Sequence, residues 1–275
     1  MRTVAIAGVG LIGGSFGLAL RRAGFDGPIL GVSSPGAIRE ALALGAIDKG
    51  VPLEEAAARA DLIYLSQTIE RILETIRSLG PLVRPGCLVT DAGSTKLRIV
   101  EEARRSLPPG AFLGGHPMAG KETRGAATAE ASLFEGRTYV LTPAGETPAT
   151  LEFRTWLDRI GAIPVVMEAA AHDRVVALTS HLPQLASTAL GALLAGRLDE
   201  ADRRIAGPGL KDMTRLALSS YDIWRDILAT NPAPIAAALD AYIEELRRLR
   251  AGLEAPSMRE SFDQAAALAL SLRRQ

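Results

Sequence analysis

The sequence predicts an α/β fold, in which a doubly wound parallel sheet occupies the first part of the chain and an all-helical domain the second. Short apolar runs typical of buried parallel strands alternate with helical segments as far as about residue 168. Beyond that point no convincing strand pattern remains, and helical periodicity continues through the rest of the 275 residues. We therefore place a domain boundary near residue 168, which gives domains of residues 1–168 and 169–275.

The opening unit is predicted to run as a strand, a glycine-rich turn and a helix, and its turn carries the pattern G-x-G-x-x-G. Gly8 allows a tight turn, Gly10 lets a pyrophosphate approach the backbone, and Gly13 lets helix and strand pack closely. The helix then begins at Leu11 and Ile12, whose free N–H groups and positive dipole end favour phosphates. The unit therefore predicts that the first domain is a dinucleotide-binding, Rossmann-like domain.

Three other interpretations of this stretch explain less of it. A secretory signal would need a helical apolar segment and a small-residue cleavage site, but the stretch is too rich in glycine and no such site follows. A hydrolase nucleophile elbow, G-x-S-x-G, matches residues 13–17, but Ser15 falls inside the helix rather than at the strand-to-helix turn. A glycine-rich packing helix without a ligand would not explain why glycine occurs at Gly8 and Gly10.

Composition excludes several classes of protein. The formal net charge is +0, which gives no general surface for nucleic acid or acidic membranes. The single cysteine, Cys87, rules out an intramolecular disulfide framework and a cysteine-rich metal site. The three histidines form no metal-binding motif, and no apolar run is long enough to cross a membrane. We expect a cytoplasmic protein without a metal, a nucleic-acid partner or a membrane anchor.

Later strand-like runs end in polar residues, and the carboxyl ends of parallel strands are where ligands gather in such sheets. These runs are residues 28–32, 62–66, 88–91, 112–115, 138–142 and 163–167, and the helices between them are residues 37–44, 54–59, 69–79, 96–106 and 151–160. The first of these runs is followed by Ser33 and Ser34, the second ends at Ser66 with Gln67, and the third ends at Asp91. We assign these five residues to the cofactor edge.

Two polar clusters after strands are candidates for the chemistry. His116 lies in the segment Gly-His-Pro-Met-Ala-Gly of residues 115–120, and histidine is the side chain most able to exchange a proton near neutral pH. The alternative is a structural loop histidine. Ser94 lies in the segment Thr-Asp-Ala-Gly-Ser-Thr-Lys of residues 90–96, where it could also be a helix N-cap.

The helical domain offers two further candidate clusters. Pro183 lies in the polar segment of residues 179–184 and is expected to kink a helix of residues 173–196, which would turn polar side chains such as Ser180 and Gln184 into a cavity. A packing kink, with His181 satisfied internally, is equally consistent. Lys211 and Arg215 are four residues apart on one helix face, which suits an anionic substrate, although exposed charge explains them too. The remaining predicted helices are residues 210–218, 221–228, 235–253 and 258–272.

Two smaller features of this domain complete the pattern. The helix of residues 235–253 carries an apolar stripe at three-and-four spacing, which suggests a homodimer. The pair His172 and Asp173 is interpreted as a cap at the start of the long helix.

With these segments assembled, the chain resembles the prephenate/arogenate dehydrogenases of tyrosine biosynthesis over nearly its whole length. The resemblance rests on residues 8–14, 90–96, 115–120, 180–183 and 211–215, and His-Pro-Met-Ala-Gly together with Ser-His-Leu-Pro is its most specific part. It implies a nucleotide-binding domain, a helical dimer-forming domain, and oxidative decarboxylation with hydride transfer to NAD or NADP.

The resemblance also implies residue roles. His116 would accept the proton or hydrogen bond of the ring hydroxyl, and Ser94 would hold the same hydroxyl. Arg215 would bind the ring carboxylate, and Lys211 would do so from the partner subunit. The other substrate-side residues implied are Glu122 as a supporting or gating group, Ser180, Gln184, and Trp224, which an ordinary core role explains equally well.

Two positions depart from the family pattern. Family members that use NAD usually have Asp at the end of the second strand, where this chain has Ser33 followed by Ser34. The missing carboxylate removes a repulsion against a 2′-phosphate, which favours NADP or dual use. Arg39 could assist, although an exposed helix position explains this residue better. Gln184 stands where many prephenate-using members have histidine, which leaves the choice between prephenate and arogenate open.

Two other classes stay open from the residues alone. A β-hydroxyacid dehydrogenase or imine reductase also joins a Rossmann domain to helices, but the lysine motif G-x-x-G-x-x-x-K of those hydroxyacid enzymes is absent from residues 168–196. A non-enzymatic NAD(P)-binding protein would need neither His116 nor Arg215.

Overall fold

A parallel sheet forms the centre of the first domain. The computed structural model describes residues 1–121, 123, 125–143, 145–253, 255 and 258–274. Within these ranges six parallel strands pair in the order β3-β2-β1-β4-β5-β6. Their bounds are β1 (Val4–Ala7), β2 (Ile29–Val32), β3 (Lys49–Gly50), β4 (Leu62–Leu65), β5 (Leu88–Asp91) and β6 (Phe112–Leu113). This order is the dinucleotide-binding one, in which a crevice opens where the order reverses between β1 and β4.

Helices cover both faces of this sheet. Phe16 stacks on Tyr64 at 4.0 Å between ring centroids in the core on one face, and Ile63 and Ile72 belong to the core on the other. Strands buried on both faces are mainly apolar, which is why most of them appear as continuous apolar runs in the sequence. The helices are α1 (Leu11–Arg22), α2 (Pro35–Ala43), α3 (Leu53–Arg59), α4 (Ile69–Leu79), α5 (Leu97–Ser106) and α6 (Pro148–Arg159).

A separate small sheet follows, where the sequence predicted a continuation of the first. It contains β7 (Gly115–Pro117), β8 (Thr138–Leu141) and β9 (Ile163–Val166); β7 is antiparallel to β8, and β8 is parallel to β9. The chain changes sheets at Gly114, whose carbonyl oxygen accepts the N–H of Thr142 at 2.9 Å. A Cβ on Gly114 would lie 2.5 Å from Oγ1 of Thr142, so glycine permits this close crossing. His116 therefore lies in a strand and not in a loop.

Helices make up the rest of the described chain. They are α7 (Ala169–Val176), α8 (Leu182–Ala195), α9 (Glu200–Arg203), α10 (Pro208–Thr214), α11 (Tyr221–Thr230), α12 (Pro232–Ala251) and α13 (Met258–Leu272). A π-helical turn, Ala177–His181, joins α7 to α8, and Pro183 lies in the first turn of α8. The kink expected at this proline stays a prediction. No helix in the described ranges has both the length and the apolar character needed to cross a membrane. The domain boundary near residue 168 stays a prediction.

Polar contacts join the helical part to the edge of the main sheet. Oδ2 of Asp226, on α11, accepts the N–H of Glu70 at 3.1 Å, and the hydroxyls of Thr95 and Thr230 lie 2.8 Å apart. The last helices keep apolar side chains exposed, among them Phe262, which is 69% exposed.

Candidate active site

The glycine-rich turn between β1 and α1 has the geometry of a phosphate cradle. Gly8 has a positive φ of +93°, and its N–H donates to the Val32 carbonyl at 2.9 Å. A Cβ on Gly13 would lie 2.2 Å from the Gly8 oxygen, so only glycine lets α1 pack this closely. A Cβ on Gly10, by contrast, would meet nothing within 4 Å, and no described side chain caps α1, which begins at Leu11. Open space above an uncapped helix N-terminus fits the pyrophosphate of a dinucleotide.

Side chains from the neighbouring strand ends support this turn. Ser66 donates its hydroxyl to the Gly8 carbonyl at 2.8 Å, and Oε1 of Gln67 accepts the hydroxyl of Thr75 at 2.9 Å. Ser33 and Ser34 are both exposed at the end of β2, and Ser34 is the N-cap of α2. Their direct contact with a cofactor, like that of Leu11 and Ile12, stays a prediction.

The carboxylate of Asp91, at the end of β5, is bonded inside the protein. Its side chain is 0% exposed, and its oxygens accept the N–H of Gly93 at 2.8 Å and that of Gly115 at 3.0 Å. Lys96, also 0% exposed, forms a buried ion pair with Asp91 and donates to the Gly115 carbonyl at 2.6 Å. The pair fixes the backbone directly before His116. The assignment of Asp91 to cofactor binding stays a prediction.

His116 is held in a dry, polar setting. Its Nδ1 lies 2.8 Å from Nε2 of His172, and the side chain is only 9% exposed. Burial lowers the pKa of His116 well below its ordinary value, and the nearby His172, Lys96 and His181 lower that pKa further. A histidine in this environment is neutral at neutral pH and can act as a proton acceptor.

His172 and Asp173 form the next contacts in this network and correct the sequence-based interpretation of the pair. Both are buried within α7, with 2.8 Å between Nδ1 of His172 and Oδ1 of Asp173. The Asp173 carboxylate accepts the backbone N–H groups of Lys96 at 2.7 Å and Leu97 at 2.9 Å. It therefore caps α5, a helix of the other domain, and not its own helix. Ser94, half-buried, lies in the loop that leads into α5.

His181 occupies a second buried position in the π-helical turn. Nδ2 of Asn231 lies 3.4 Å from its Nδ1 and also donates to the Asp173 carbonyl at 2.8 Å. The Trp224 ring meets the imidazole edge-on, with 5.9 Å between centroids. Burial lowers the pKa of His181 to about 4; His172 lowers it as well, while Asp173 acts in the opposite direction.

A cavity of about 450 Å³ in the helical part brings several predicted substrate residues together. Gln184, Arg215 and Trp224 line it, and Gly120 contributes from the segment that follows His116. Nε2 of Gln184 donates to the Leu216 carbonyl at 2.8 Å. The structure thus collects residues from α8, from α11 and from the end of α10.

The other predicted substrate residues lie elsewhere or are not described. Lys211 is exposed on α10 and is not part of the cavity lining. Ser180 is half-buried in the π-helical turn. Glu122 lies outside the residues that the structure describes. The roles of these residues stay predictions.

Sequence reasoning missed the network behind His116. Local pattern assigns no role to Lys96 and only a capping role to His172 and Asp173, although an adjacent His and Asp in a chain with three histidines is a usable signal. Their significance depends on a contact between residues 56 positions apart, which local pattern does not reveal.

A phosphate cradle, a buried neutral histidine and a cavity lined by Gln184, Arg215 and Trp224 are features of a dinucleotide-dependent dehydrogenase. Comparisons of this chain with known protein families agree with this class. Residues 16–163 match the family model "Prephenate dehydrogenase, nucleotide-binding domain", and residues 168–266 match "Prephenate dehydrogenase, dimerization domain". The chain belongs to the prephenate dehydrogenase family.

Individual sequence relatives and solved structures support the same family assignment. The chain is 34% identical over 260 residues to the prephenate dehydrogenase of Bacillus subtilis, which covers 92% of this chain and 70% of that protein. The crystal structure of A. aeolicus prephenate dehydrogenase with hydroxyphenyl propionate and NAD+ is 30% identical, with a TM-score of 0.92 and coverage of 99% and 98% of the two chains. The structure of Synechocystis arogenate dehydrogenase is 29% identical, with a TM-score of 0.84 and coverage of 98% and 99%.

Proposed function

We propose that this chain catalyses the oxidative decarboxylation of prephenate to 4-hydroxyphenylpyruvate. When bound, the nicotinamide supplies the hydride acceptor for the ring carbon that carries the hydroxyl. As that C–H bond breaks, the hydroxyl proton passes to a base on the protein. The ring then loses CO2 from the opposite carbon, the electron pair of the broken C–C bond makes the ring aromatic, and the same oxygen takes its proton back. The protein therefore needs a group that accepts a proton and returns it to one oxygen.

The observation that carries the proposal is the state of His116. Burial and neighbouring positive or proton-bearing groups lower its pKa well below the ordinary value, so the imidazole is unprotonated before the reaction. Its position follows β6 directly, in the first strand of the small sheet. Ser94, in the loop before α5, is proposed as the second hydrogen-bonding group for the substrate hydroxyl.

Anionic groups of the substrate call for cationic and polar partners. We assign the ring carboxylate to Arg215, because a guanidinium matches a carboxylate in charge and shape. The shared cavity of Arg215, Gln184 and Trp224 supports this assignment. Lys211 and Glu122 are retained as proposed contributors, Lys211 from the partner subunit of a homodimer. The match to a dimerization domain and the exposed apolar side chains of the last helices support that homodimer.

For the cofactor we propose dual use of NAD and NADP. Ser33 and Ser34, exposed at the end of β2, place two hydroxyls where a strict NAD site would have a carboxylate. Arg39 bends back toward the start of α2, with its Nη2 3.9 Å from where a Cβ on Gly36 would lie. A guanidinium and two hydroxyls near a helix N-terminus suit a 2′-phosphate.

Arogenate is a second candidate substrate, and the Gln184 amide favours it. Both hydrogen bonds that its nitrogen makes go to protein acceptors, namely the Leu216 carbonyl at 2.8 Å and the Thr188 hydroxyl at 3.2 Å. The other polar atom of the amide, Oε1, is an acceptor. An acceptor suits the ammonium of arogenate better than the keto oxygen of prephenate.

The decisive experiment is a steady-state assay of prephenate and arogenate, each with NAD and with NADP. The proposal expects turnover of prephenate with both cofactors and measurable turnover of arogenate. No turnover in any of the four combinations would contradict the proposed activity. Turnover with NAD alone would overturn only dual cofactor use.

A further inference from the structure

We propose that His172 and Asp173 act as a relay that holds the proton of neutral His116 on Nδ1 and so presents the unprotonated Nε2 to the substrate. This inference rests on the proposed function for its chemical meaning, because the reaction needs a base that returns its proton. His172 and Asp173 are positioning residues in this scheme: they act through His116 and do not touch the substrate.

The hydrogen bonds of Asp173 determine which nitrogen of His172 is the donor. Its Oδ1 accepts the N–H of Lys96 at 2.7 Å and its Oδ2 accepts the N–H of Leu97 at 2.9 Å, and a backbone N–H can only donate. These bonds lie at the N-terminus of α5, where backbone N–H groups have no partner within the helix. Since the carboxylate is an acceptor, Nδ1 of His172, 2.8 Å from Oδ1, must be the donor.

The tautomer of His172 in turn sets the tautomer of His116. We assign His172 the tautomer with its proton on Nδ1 and a bare Nε2, which can only accept a hydrogen bond. That Nε2 lies 2.8 Å from Nδ1 of His116, so Nδ1 of His116 donates. Neutral His116 then has no proton on Nε2. An isolated neutral histidine favours the opposite tautomer, with its proton on Nε2, which could not accept the substrate proton there.

The relay also accounts for how a buried imidazole can briefly hold a proton. When Nε2 of His116 takes the hydroxyl proton, the ring becomes positive in a site that burial and Lys96 make unfavourable for that charge. The Asp173 carboxylate lies two hydrogen bonds away and stabilises the cation through the polarised His172 ring. The proton then returns from Nε2 to the same substrate oxygen, so no proton is gained or lost overall.

The surroundings hold the three groups in place from both domains. Gly115 is clamped by the buried pair of Asp91 and Lys96, which fixes the backbone of His116. Asn231 donates to the backbone carbonyl of Asp173 at 2.8 Å and thereby fixes α7. His172 and Asp173 are 1% and 2% exposed, so water does not compete for these hydrogen bonds.

The test is nitrogen NMR of the full chain with 15N-labelled histidine, recorded without substrate. Only three histidines need assignment, and single substitutions identify each. The relay predicts that Nδ1 of His116 carries the proton and Nε2 does not. A protonated Nε2 on neutral His116 would overturn the relay even if the protein turns over prephenate. Conversely, a protein that shows the predicted tautomer but turns over neither prephenate nor arogenate would overturn the proposed function alone.

Kinetics of two variants separate the relay from a purely structural role. His172→Leu removes the acceptor, so we expect the His116 tautomer to change and kcat to fall about 100-fold or more, with KM and cofactor affinity little changed. His172→Gln offers an amide oxygen near the position of Nε2, so we expect it to keep the tautomer and recover at least a tenth of the wild-type kcat. An unchanged tautomer in His172→Leu, or equal loss of kcat in both variants, would contradict the relay. If His172→Leu fails to fold, the wild-type spectrum and the His172→Gln variant still decide it.

Discussion

Oδ1 of Asp173 lies 2.7 Å from the backbone nitrogen of Lys96, so a carboxylate of the helical part caps a helix of the nucleotide-binding part. The same oxygen is 2.8 Å from Nδ1 of His172. Both Asp173 oxygens accept backbone N–H groups at the start of α5. One buried side chain therefore joins the two parts of the chain and orients His172 and, through it, His116.

Removal of this carboxylate should cost stability as well as activity. We expect Asp173→Ala to lower the free energy of unfolding by about 3 kcal/mol or more, because two backbone N–H groups and an imidazole N–H lose their acceptor in a buried site. Asp222→Ala, at an exposed position in the first turn of α11, is the matched control and should change stability by less than about 0.5 kcal/mol. Equal losses in urea denaturation would contradict the assigned role of Asp173.

His116→Asn should remove the proton acceptor and leave the dinucleotide site intact. We expect kcat to fall by about 100- to 10,000-fold, the range typical of a positioned general base, while the cofactor dissociation constant stays within about twofold. Stopped-flow assays and cofactor fluorescence titration measure the two quantities. Near-normal turnover would show that another group takes the hydroxyl proton.

Arg215→Gln should act mainly on substrate binding. A carboxylate anchor used equally in the ground and transition states raises KM by about 10- to 100-fold when lost, with little change in kcat. Arg197→Gln, at an exposed arginine after α8, is the control and should leave both constants unchanged. An unaltered KM in Arg215→Gln would remove this residue from the proposed carboxylate site.

Ser33→Asp should shift cofactor preference toward NAD. A carboxylate near a 2′-phosphate adds a repulsion of roughly 1–3 kcal/mol, so the ratio of kcat/KM for NAD to that for NADP should rise about 10- to 100-fold. Arg39→Gln should weaken NADP use alone. If neither variant changes the ratio, the end of β2 does not contact the adenine ribose.

Acid should destabilise the fold through its buried histidines. Burial lowers the pKa of His181 to about 4 and that of His116 well below 6.5, so the unfolded chain binds more protons than the folded chain below about pH 6.5. The free energy of unfolding therefore suffers no loss from these histidines above pH 6.5 and falls as the pH drops toward 4. His181 accounts for up to about 3 kcal/mol of that fall. Urea denaturation of wild type and His181→Gln at pH 7 and pH 4.5 measures the difference; parallel pH dependence in both proteins would rule out this contribution.

Local sequence pattern predicted most elements of the first domain well. The predicted helix of residues 69–79 matches α4 (Ile69–Leu79) at both ends, because its apolar residues repeat at helical spacing between clear turn residues. The two-residue strand Lys49–Gly50 was missed, since so short a run has no periodicity. The segment around His116 was read as a loop because Gly114, where the chain crosses between sheets, resembles a strand end.

The sequence by itself determined the fold class and the family and singled out the proposed dinucleotide turn and the proposed base, because Gly8, Gly10, Gly13 and His116 lie in motifs whose local geometry is set by neighbouring residues. Only the tertiary structure decided the roles of Asp91, Lys96, His172 and Asp173. Their partners lie in other elements, as with the 56 positions between His116 and His172. These contacts set the tautomer of His116, and burial lowers its pKa. Both effects arise only when the two parts of the chain pack together and exclude water.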